Sequence, residues 1–211
     1  MIKVLITDDH PVVRQGIRQI LEDDKDQRFG EIDEASDVTG LIDKLMHKNY
    51  DVIVLDISLP GRSGLDALPD IRKINPAVMV LIVSIYPEEQ YALRALKLGA
   101  AGYLTKSSAP EELISAILKV SAGGRYITTS LAEKITFDML SGEEKKPHEN
   151  LSSRELEVIK LLAAGNSLNT IADVLSLSPK TISTYRERIL VKLKLKTTAA
   201  LIRYALENRL A

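Results

Sequence analysis

Short continuous apolar runs alternate with helical periodicity through the first 124 residues. The runs are Lys3-Val4-Leu5-Ile6-Thr7, a weaker Glu31-Ile32-Asp33-Glu34-Ala35, Asp51-Val52-Ile53-Val54-Leu55-Asp56, Val78-Met79-Val80-Leu81-Ile82-Val83-Ser84 and Gly102-Tyr103-Leu104-Thr105-Lys106. Runs of this length, bounded by turn signals, read as buried strands. Between them apolar residues recur every three or four positions: Val13, Ile17, Ile20 and Leu21; Leu41, Ile42, Leu45 and Met46; Leu65, Leu68, Ile71 and Ile74; Tyr91, Ala92, Ala95 and Leu96. Asn75-Pro76 ends the third of these helices, and Gly99 stops the fourth. Pro110-Glu111-Glu112-Leu113 opens a fifth, with Pro in the first turn and acids suited to the positive end of the helix dipole. Five βα repeats predict an α/β fold: a doubly wound, five-stranded parallel sheet with helices on both faces.

The pattern changes beyond residue 124. Leu131, Ile135, Met139 and Leu140 suit one face of a short helix. The stretch 141–150 loses all apolar period, is rich in Gly, Pro and charge, and reads as a flexible tether. From Leu151 the pattern is wholly helical. Ser152-Ser153-Arg154-Glu155 is a capping box before Leu156, Ile159, Leu162 and Ala163, and Gly165 ends that helix. Ser167 caps a second helix carrying Ile171, Ala172 and Leu175. Ser178-Pro179 starts a third, and Thr197-Thr198 a fourth through Leu201, Ile202, Ala205 and Leu206. The expected division is a domain over 1–124, a helical segment and linker over 125–150, and an all-α four-helix domain over 151–211.

Polar residues stand where the strands end. Asp8 and Asp9 follow the first, Asp56 ends the third ahead of Leu59-Pro60-Gly61, Ser84 ends the fourth and Lys106 the fifth. In an open parallel sheet these ends share one edge, where ligands gather. Three carboxylates together repel, so one is protonated or a cation is bound. An all-oxygen set suits Mg²⁺. A Lys and a hydroxyl opposite can hold phosphoryl oxygens. Together they suit phosphoryl transfer to a carboxylate nucleophile, Asp56. Taken singly, each reads as a loop acid, a strand-end hydroxyl or a solvated lysine.

In the third helix of the last domain, Ile182, Tyr185, Ile189 and Leu193 fall at core spacing. Lys180, Ser183, Thr184 and Glu187 fall on the opposite side, with Arg186, Arg188 and Lys192 on the flanks. Short polar residues and Glu can meet base edges in a major groove, while flanking cations meet phosphates. Composition alone fits a solvated helix face as well.

Charge adds a little to this picture. The 211 residues carry a net charge of −1, but residues 1–150 sum to −6 and residues 151–211 to +5. A basic module on an acidic one suggests a polyanionic partner. No cysteine is present, which excludes disulfides, thiol catalysis and Cys-ligated zinc; the three histidines are scattered. No apolar stretch is long enough to span a membrane, and the N-terminus lacks a signal-peptide pattern, so no membrane role and a cytoplasmic location are expected.

On Asp8-Asp9, Asp56, Leu59-Pro60-Gly61, Ser84 and Tyr103-Leu104-Thr105-Lys106, residues 1–124 resemble the receiver domain of bacterial two-component response regulators, a flavodoxin-like fold. Leu151-Ser152-Ser153-Arg154-Glu155, Ala164-Gly165-Asn166-Ser167, Ile171-Ala172 and Ser178 to Tyr185 resemble the LuxR-type helix-turn-helix. Joined, they resemble the NarL/FixJ family of transcriptional regulators. The resemblance implies Asp56 as phosphoacceptor. It implies Mg²⁺ on Asp9, Asp56 and the Ser58 carbonyl, with Asp8 acting through water. It further implies Lys106 on the phosphoryl group, Ser84 moving onto it, and Tyr103 swinging inward behind Ser84. DNA contacts are expected from Lys180, Thr181, Ser183, Thr184, Arg186, Glu187, Arg188 and Lys192. Implied partners are double-stranded DNA, a sensor histidine kinase, a second copy when phosphorylated, and RNA polymerase. The resemblance implies a regulator rather than an enzyme.

Several positions depart from the common pattern. Ile85 stands where many receivers have a small residue, Ser107 where many have Pro, Ser183 where many recognition helices have Lys, and Tyr185 at a common His position. Base preference therefore does not transfer. Val191, Leu201 and Leu206 serve equally as dimer contacts or as buried packing. Two other readings stay open: a phosphatase of the haloacid-dehalogenase type, which would place a D-x-D nucleophile after its first strand, and a regulator that works unphosphorylated through protein partners.

Overall fold

The computed structural model describes residues 1–108, 110–129, 131–133, 136, 147–175, 177–208 and 210. The chain divides into two compact units, Met1–Gly142 and Glu143–Ala211.

In the first unit the apolar runs form the strands β1 (Ile2–Thr7), β2 (Phe29–Ala35), β3 (Val52–Leu55), β4 (Met79–Ser84) and β5 (Gly102–Thr105). All pair in parallel, in the order β2-β1-β3-β4-β5. The helices are α1 (Pro11–Glu22), α2 (Val38–His47), α3 (Gly64–Ile74), α4 (Glu88–Lys97) and α5 (Pro110–Ser121). Alternate strand residues reach opposite faces. Val4, Ile6, Val52, Val54, Leu81 and Val83 pack with Ile17, Leu21, Leu113 and Ile117 in one core. Leu5, Ile53, Leu55, Val80 and Ile82 point the other way and are equally buried. Burial on both faces is why the strands read as unbroken apolar runs instead of alternating ones. The order of strands reverses between β1 and β3, which makes their carboxyl ends the switch point where a ligand crevice opens.

The expected strands and helices all form, and β2 begins two residues earlier than its sequence pattern. Residues beyond α5 still belong to this unit. Tyr126 bridges Gly102, and the Thr128 hydroxyl accepts from the Leu131 amide (3.2 Å) and donates to Glu88 on α4. Leu131 is buried. Ile135, Met139 and Leu140 lie outside the described residues, as does 141–146 of the expected tether. Its remainder, Pro147–Asn150, is a 3-10 turn of the second unit, with His148 Nδ1 3.0 Å from the Tyr204 hydroxyl.

The second unit holds four helices: α6 (Ser153–Ala163), α7 (Leu168–Val174), α8 (Pro179–Lys192) and α9 (Thr198–Glu207). Each begins on the expected hydroxyl cap. Ser152 makes both halves of a capping box with Glu155, and Ser167, Ser178 and Thr197 accept from the amides of Thr170, Thr181 and Ala200. Gly165 takes the left-handed conformation (φ +85°) that closes α6. The helix α6 packs on α8 and α9, and α7 packs on α8. Leu201 is buried in this core, whereas Val191 and Leu206 are exposed.

Candidate functional site

Two strand ends bring the acids together. Asp8 directly follows β1, its amide bonded to the Ala35 carbonyl at 3.2 Å, and Asp56 directly follows β3, its amide bonded to the Thr7 carbonyl at 2.9 Å. Gly64, opening α3, packs against Asp56 so closely that a Cβ there would stand 2.0 Å from the Asp56 carbonyl oxygen. The Ser63 hydroxyl donates to the Ile57 carbonyl at 3.2 Å, holding the same loop. Asp8 and Asp56 are buried and Asp9 is half-exposed.

Ligand atoms of Asp8, Asp9, His10 and Asp56 all lie within 4.8 Å of one another. Lys106 reaches in from the end of β5, its Nζ 2.6 Å from Asp8 Oδ2 and 2.9 Å from Asp56 Oδ2. Burial pushes the Asp56 carboxyl up, against the opposing pull of Lys106. Burial also works to lower the Lys106 ammonium, but its hydrogen bonds to Asp8 and Asp56 outweigh that and hold it above its ordinary value. Asp56 Oδ1 accepts from the Ile57 amide at 2.7 Å. Asp9 Oδ1 is buried and accepts no hydrogen bond among the described residues; His10 Nδ1 stands 2.7 Å away, at ion-pair distance but out of line for a hydrogen bond. Two buried carboxylates, an orphaned carboxylate oxygen and one lysine on the spot where a cation would sit fit a small hard cation such as Mg²⁺.

Ser84, at the end of β4, and Tyr103, on β5, stand against the adjoining loop at Tyr86. Ser84 is fully buried, and its Oγ is 3.5 Å from the Tyr86 amide. Tyr103 is already buried, with its hydroxyl donating to the Tyr86 carbonyl at 3.0 Å. Burial raises its hydroxyl, and a hydrogen bond with Ser84 opposes that rise. Ile85, the bulky neighbour of Ser84, is 70% exposed, so it does not fill the pocket.

Sequence reasoning passed over His10, Tyr86, Arg14 and Glu34. Adjacency to Asp8-Asp9 marks His10, and a two-residue offset from Ser84 marks Tyr86. Nothing local marks Glu34, which approaches the site only through β2.

In the second unit, Ile182, Ile189 and Leu193 are buried as expected, while Tyr185 is half-buried. Lys180, Thr184, Glu187 and Arg188 are exposed, and Thr181, Ser183 and Arg186 are partly so. A shallow cavity of about 270 Å³ is lined by Ser178, Lys180, Thr181, Thr184, Tyr185 and Arg188. The Thr184 hydroxyl donates to the Lys180 carbonyl at 3.0 Å. Lys192 Nζ lies 2.6 Å from Oε2 of the buried capping-box Glu155, so its charge is engaged within the module.

The model of the response regulator receiver domain matches residues 4–118, and that of the bacterial regulatory proteins of the luxR family matches residues 149–205. The chain belongs to the NarL/FixJ response regulators. It is 36% identical to response regulator UvrY of Escherichia coli (strain K12) over 211 residues, covering 100% of this chain and 96% of that protein. It is 35% identical to response regulator GacA of Pseudomonas aeruginosa over 210 residues, covering 99% of this chain and 97% of that protein. Among solved structures, RcsB from Salmonella enterica serovar Typhimurium bound to promoter rprA in the presence of phosphomimetic BeF3- superposes with a TM-score of 0.60 at 27% identity, over 96% of this chain and 97% of that one. This response regulator therefore pairs a receiver unit with a LuxR-type DNA-binding unit. Members of the family are DNA-binding transcription regulators and not enzymes. No helix among the described residues is long and apolar enough to cross a membrane.

Proposed function

We propose that a sensor histidine kinase phosphorylates Asp56, and that this event controls DNA binding by α8. The observation that supports it most is the meeting of Asp8, Asp9, Asp56 and Lys106 at the carboxyl ends of β1, β3 and β5. An Asp56 carboxylate oxygen attacks phosphorus as the donor's nitrogen–phosphorus bond breaks, leaving an acyl phosphate on Asp56 and a neutral imidazole on the donor. Asp8, Asp9, Asp56 and the Ser58 carbonyl would hold Mg²⁺, with Asp8 acting through water. Bound there, Mg²⁺ supplies relief of carboxylate repulsion and neutralises charge on the phosphoryl oxygens. Lys106 shifts from the two carboxylates onto the phosphoryl group, and Ser84 donates to it. The repacking of Ser84, Tyr86 and Tyr103 changes the surface of α4 and α5, and that surface biases the chain toward a DNA-competent homodimer. Exposed Val191 and Leu206 suit the contact between DNA-binding units; buried Leu201 does not.

On DNA, α8 lies in the major groove, with Lys180, Thr181, Ser183, Thr184 and Glu187 toward bases and Arg186 and Arg188 toward phosphates, whereas Lys192 stays on Glu155. Two copies span half-sites about one helical turn apart. RNA polymerase is the partner for the transcriptional output, and the cytoplasm is the compartment where both are found.

The test is incubation with Mg²⁺ and a small phosphodonor, followed by digestion and mass spectrometry. Phosphate on Asp56 is expected, and label retained by Asp56→Asn sinks the assignment. DNA selected from a random pool with and without the phosphodonor then tests the output. A second reading, output without phosphorylation, draws support from Tyr103, which is buried while Lys106 still bonds Asp56 directly. DNA affinity indifferent to the phosphodonor would favour it.

A further inference from the structure

We infer that Arg14 is a positioning residue for the acid pocket, setting the aim of Asp9 by gripping the main chain behind it. The inference rests on the reading of that pocket as the cation and phosphoryl site. Arg14 lies on α1, and its guanidinium spans two partners: Nη1 donates to the Asp8 carbonyl at 2.7 Å, and Nε donates to Glu34 Oε2 at 3.1 Å. Glu34 is on β2, and its second oxygen, Oε1, accepts from Arg18 Nε at 2.6 Å. Arg18 is anchored in turn on the Ile32 carbonyl at 2.8 Å and on Glu22 at 3.2 Å. Hydrogen bonds from Arg18 first, and then from Arg14, hold the Glu34 carboxyl below its usual range, so it stays an anion. Three charged side chains thus form a brace from the sheet edge to the pocket's backbone. None of them touches Asp56.

The target of the brace is what gives it a role. The Asp8 carbonyl and the Asp9 amide belong to one planar peptide. Asp8 is already held through its own amide on the Ala35 carbonyl. Holding its carbonyl as well fixes the plane that leads into Asp9, and with it the direction of the Asp9 Cα–Cβ bond. Asp9 needs that help. The side chains of Asp8 and Asp56 are 3% and 2% exposed and tied to Lys106, whereas that of Asp9 is 35% exposed and its Oδ1 accepts no hydrogen bond. Besides His10, whose Nδ1 stands 2.7 Å from that oxygen, its aim depends on the backbone. Groups that orient a ligating carboxylate without touching the cation weaken cation binding when lost. A lysine in place of Arg14 offers a point charge that can reach one partner and not both.

The test uses the full chain and Mg²⁺ itself. Arg14→Met keeps the apolar stem and loses the donors; calorimetric titration should show Mg²⁺ bound about tenfold more weakly. Arg14→Lys should recover only part of that loss. Arg28→Met, which removes the partner of buried Asp24 elsewhere on the same unit, should lower the melting temperature yet leave Mg²⁺ affinity unchanged. In EDTA the amide of Asp8, bonded to the Ala35 carbonyl, should exchange faster in Arg14→Met than in the unaltered chain. Wild-type Mg²⁺ affinity in Arg14→Met, or equal loss in Arg28→Met, overturns the inference. Failure of the unaltered chain to bind Mg²⁺ overturns the pocket reading instead, and the positioning role with it.

Discussion

The Ser58 hydroxyl donates to the Tyr86 hydroxyl across 3.1 Å, joining the loop after Asp56 to the loop after Ser84. Tyr86 is held from three more directions. Its ring stacks on Tyr91 of α4 at 4.8 Å, its carbonyl accepts from Tyr103, and its amide faces Ser84. Removing the ring should open the pocket's mouth to water. Tyr86→Ala is expected to shorten the life of the acyl phosphate several-fold, and Tyr86→Phe, which keeps the stack, to shorten it less. Decay of radiolabelled protein at fixed Mg²⁺ checks both; equal decay in all three chains would show that Tyr86 does not cover the site.

Lys106 is the ammonium that two buried carboxylates share, so its loss takes that cation from both. Lys106→Met should cost about 3–5 kcal/mol in EDTA. Asp56→Asn should do the reverse, because burial raises the Asp56 carboxyl and its ionisation therefore works against the fold. A raised native value means stability that is present at low pH and is lost as pH rises through that value. The gain from Asp56→Asn should thus appear at about pH 7.5 and vanish near about pH 3. Thermal melts at both pH values decide it, and a loss of stability at the higher pH would count against the account.

Gly64 and Gly16 should respond oppositely to alanine. A Cβ on Gly64 meets the Asp56 carbonyl at 2.0 Å, so Gly64→Ala should destabilise by about 1–3 kcal/mol and slow phosphorylation by displacing Asp56. Gly16, in α1, has nothing within 4 Å of that position, so Gly16→Ala should stabilise by roughly 0.5–1 kcal/mol. Denaturant midpoints measure both. Normal phosphorylation of Gly64→Ala would mean that the loop tolerates the shift.

The cations of α8 should separate by mechanism. Arg188 is exposed, and Arg188→Ala should weaken binding to every DNA sequence and lower the salt slope by about one. Glu187→Ala should change which bases are selected. Lys192 is engaged with buried Glu155, so Lys192→Ala should chiefly lower the melting temperature of the DNA-binding unit. A full unit of lost salt slope in Lys192→Ala, with stability unchanged, would restore it as a phosphate contact.

Much of this protein was legible in its sequence because local forces settle it. Apolar runs became strands wherever both sheet faces are covered, and hydroxyl residues at Ser152, Ser167, Ser178 and Thr197 became caps because the first amides of a helix need acceptors. Asp8, Asp9, Asp56, Ser84 and Lys106 could be placed on one edge because a parallel sheet puts all its strand ends there. Tertiary structure alone decided who holds them. Glu34 reaches Arg14 from 20 residues away, Tyr86 meets Ser58 from 28 away, and Glu155 takes Lys192 from 37 away. Such pairings depend on how strands and helices are laid side by side, and no periodicity or spacing along the chain records that. Asp56 owes its place at the strand end to sequence, and its burial, its lysine and its closeness to Gly64 to the fold around it.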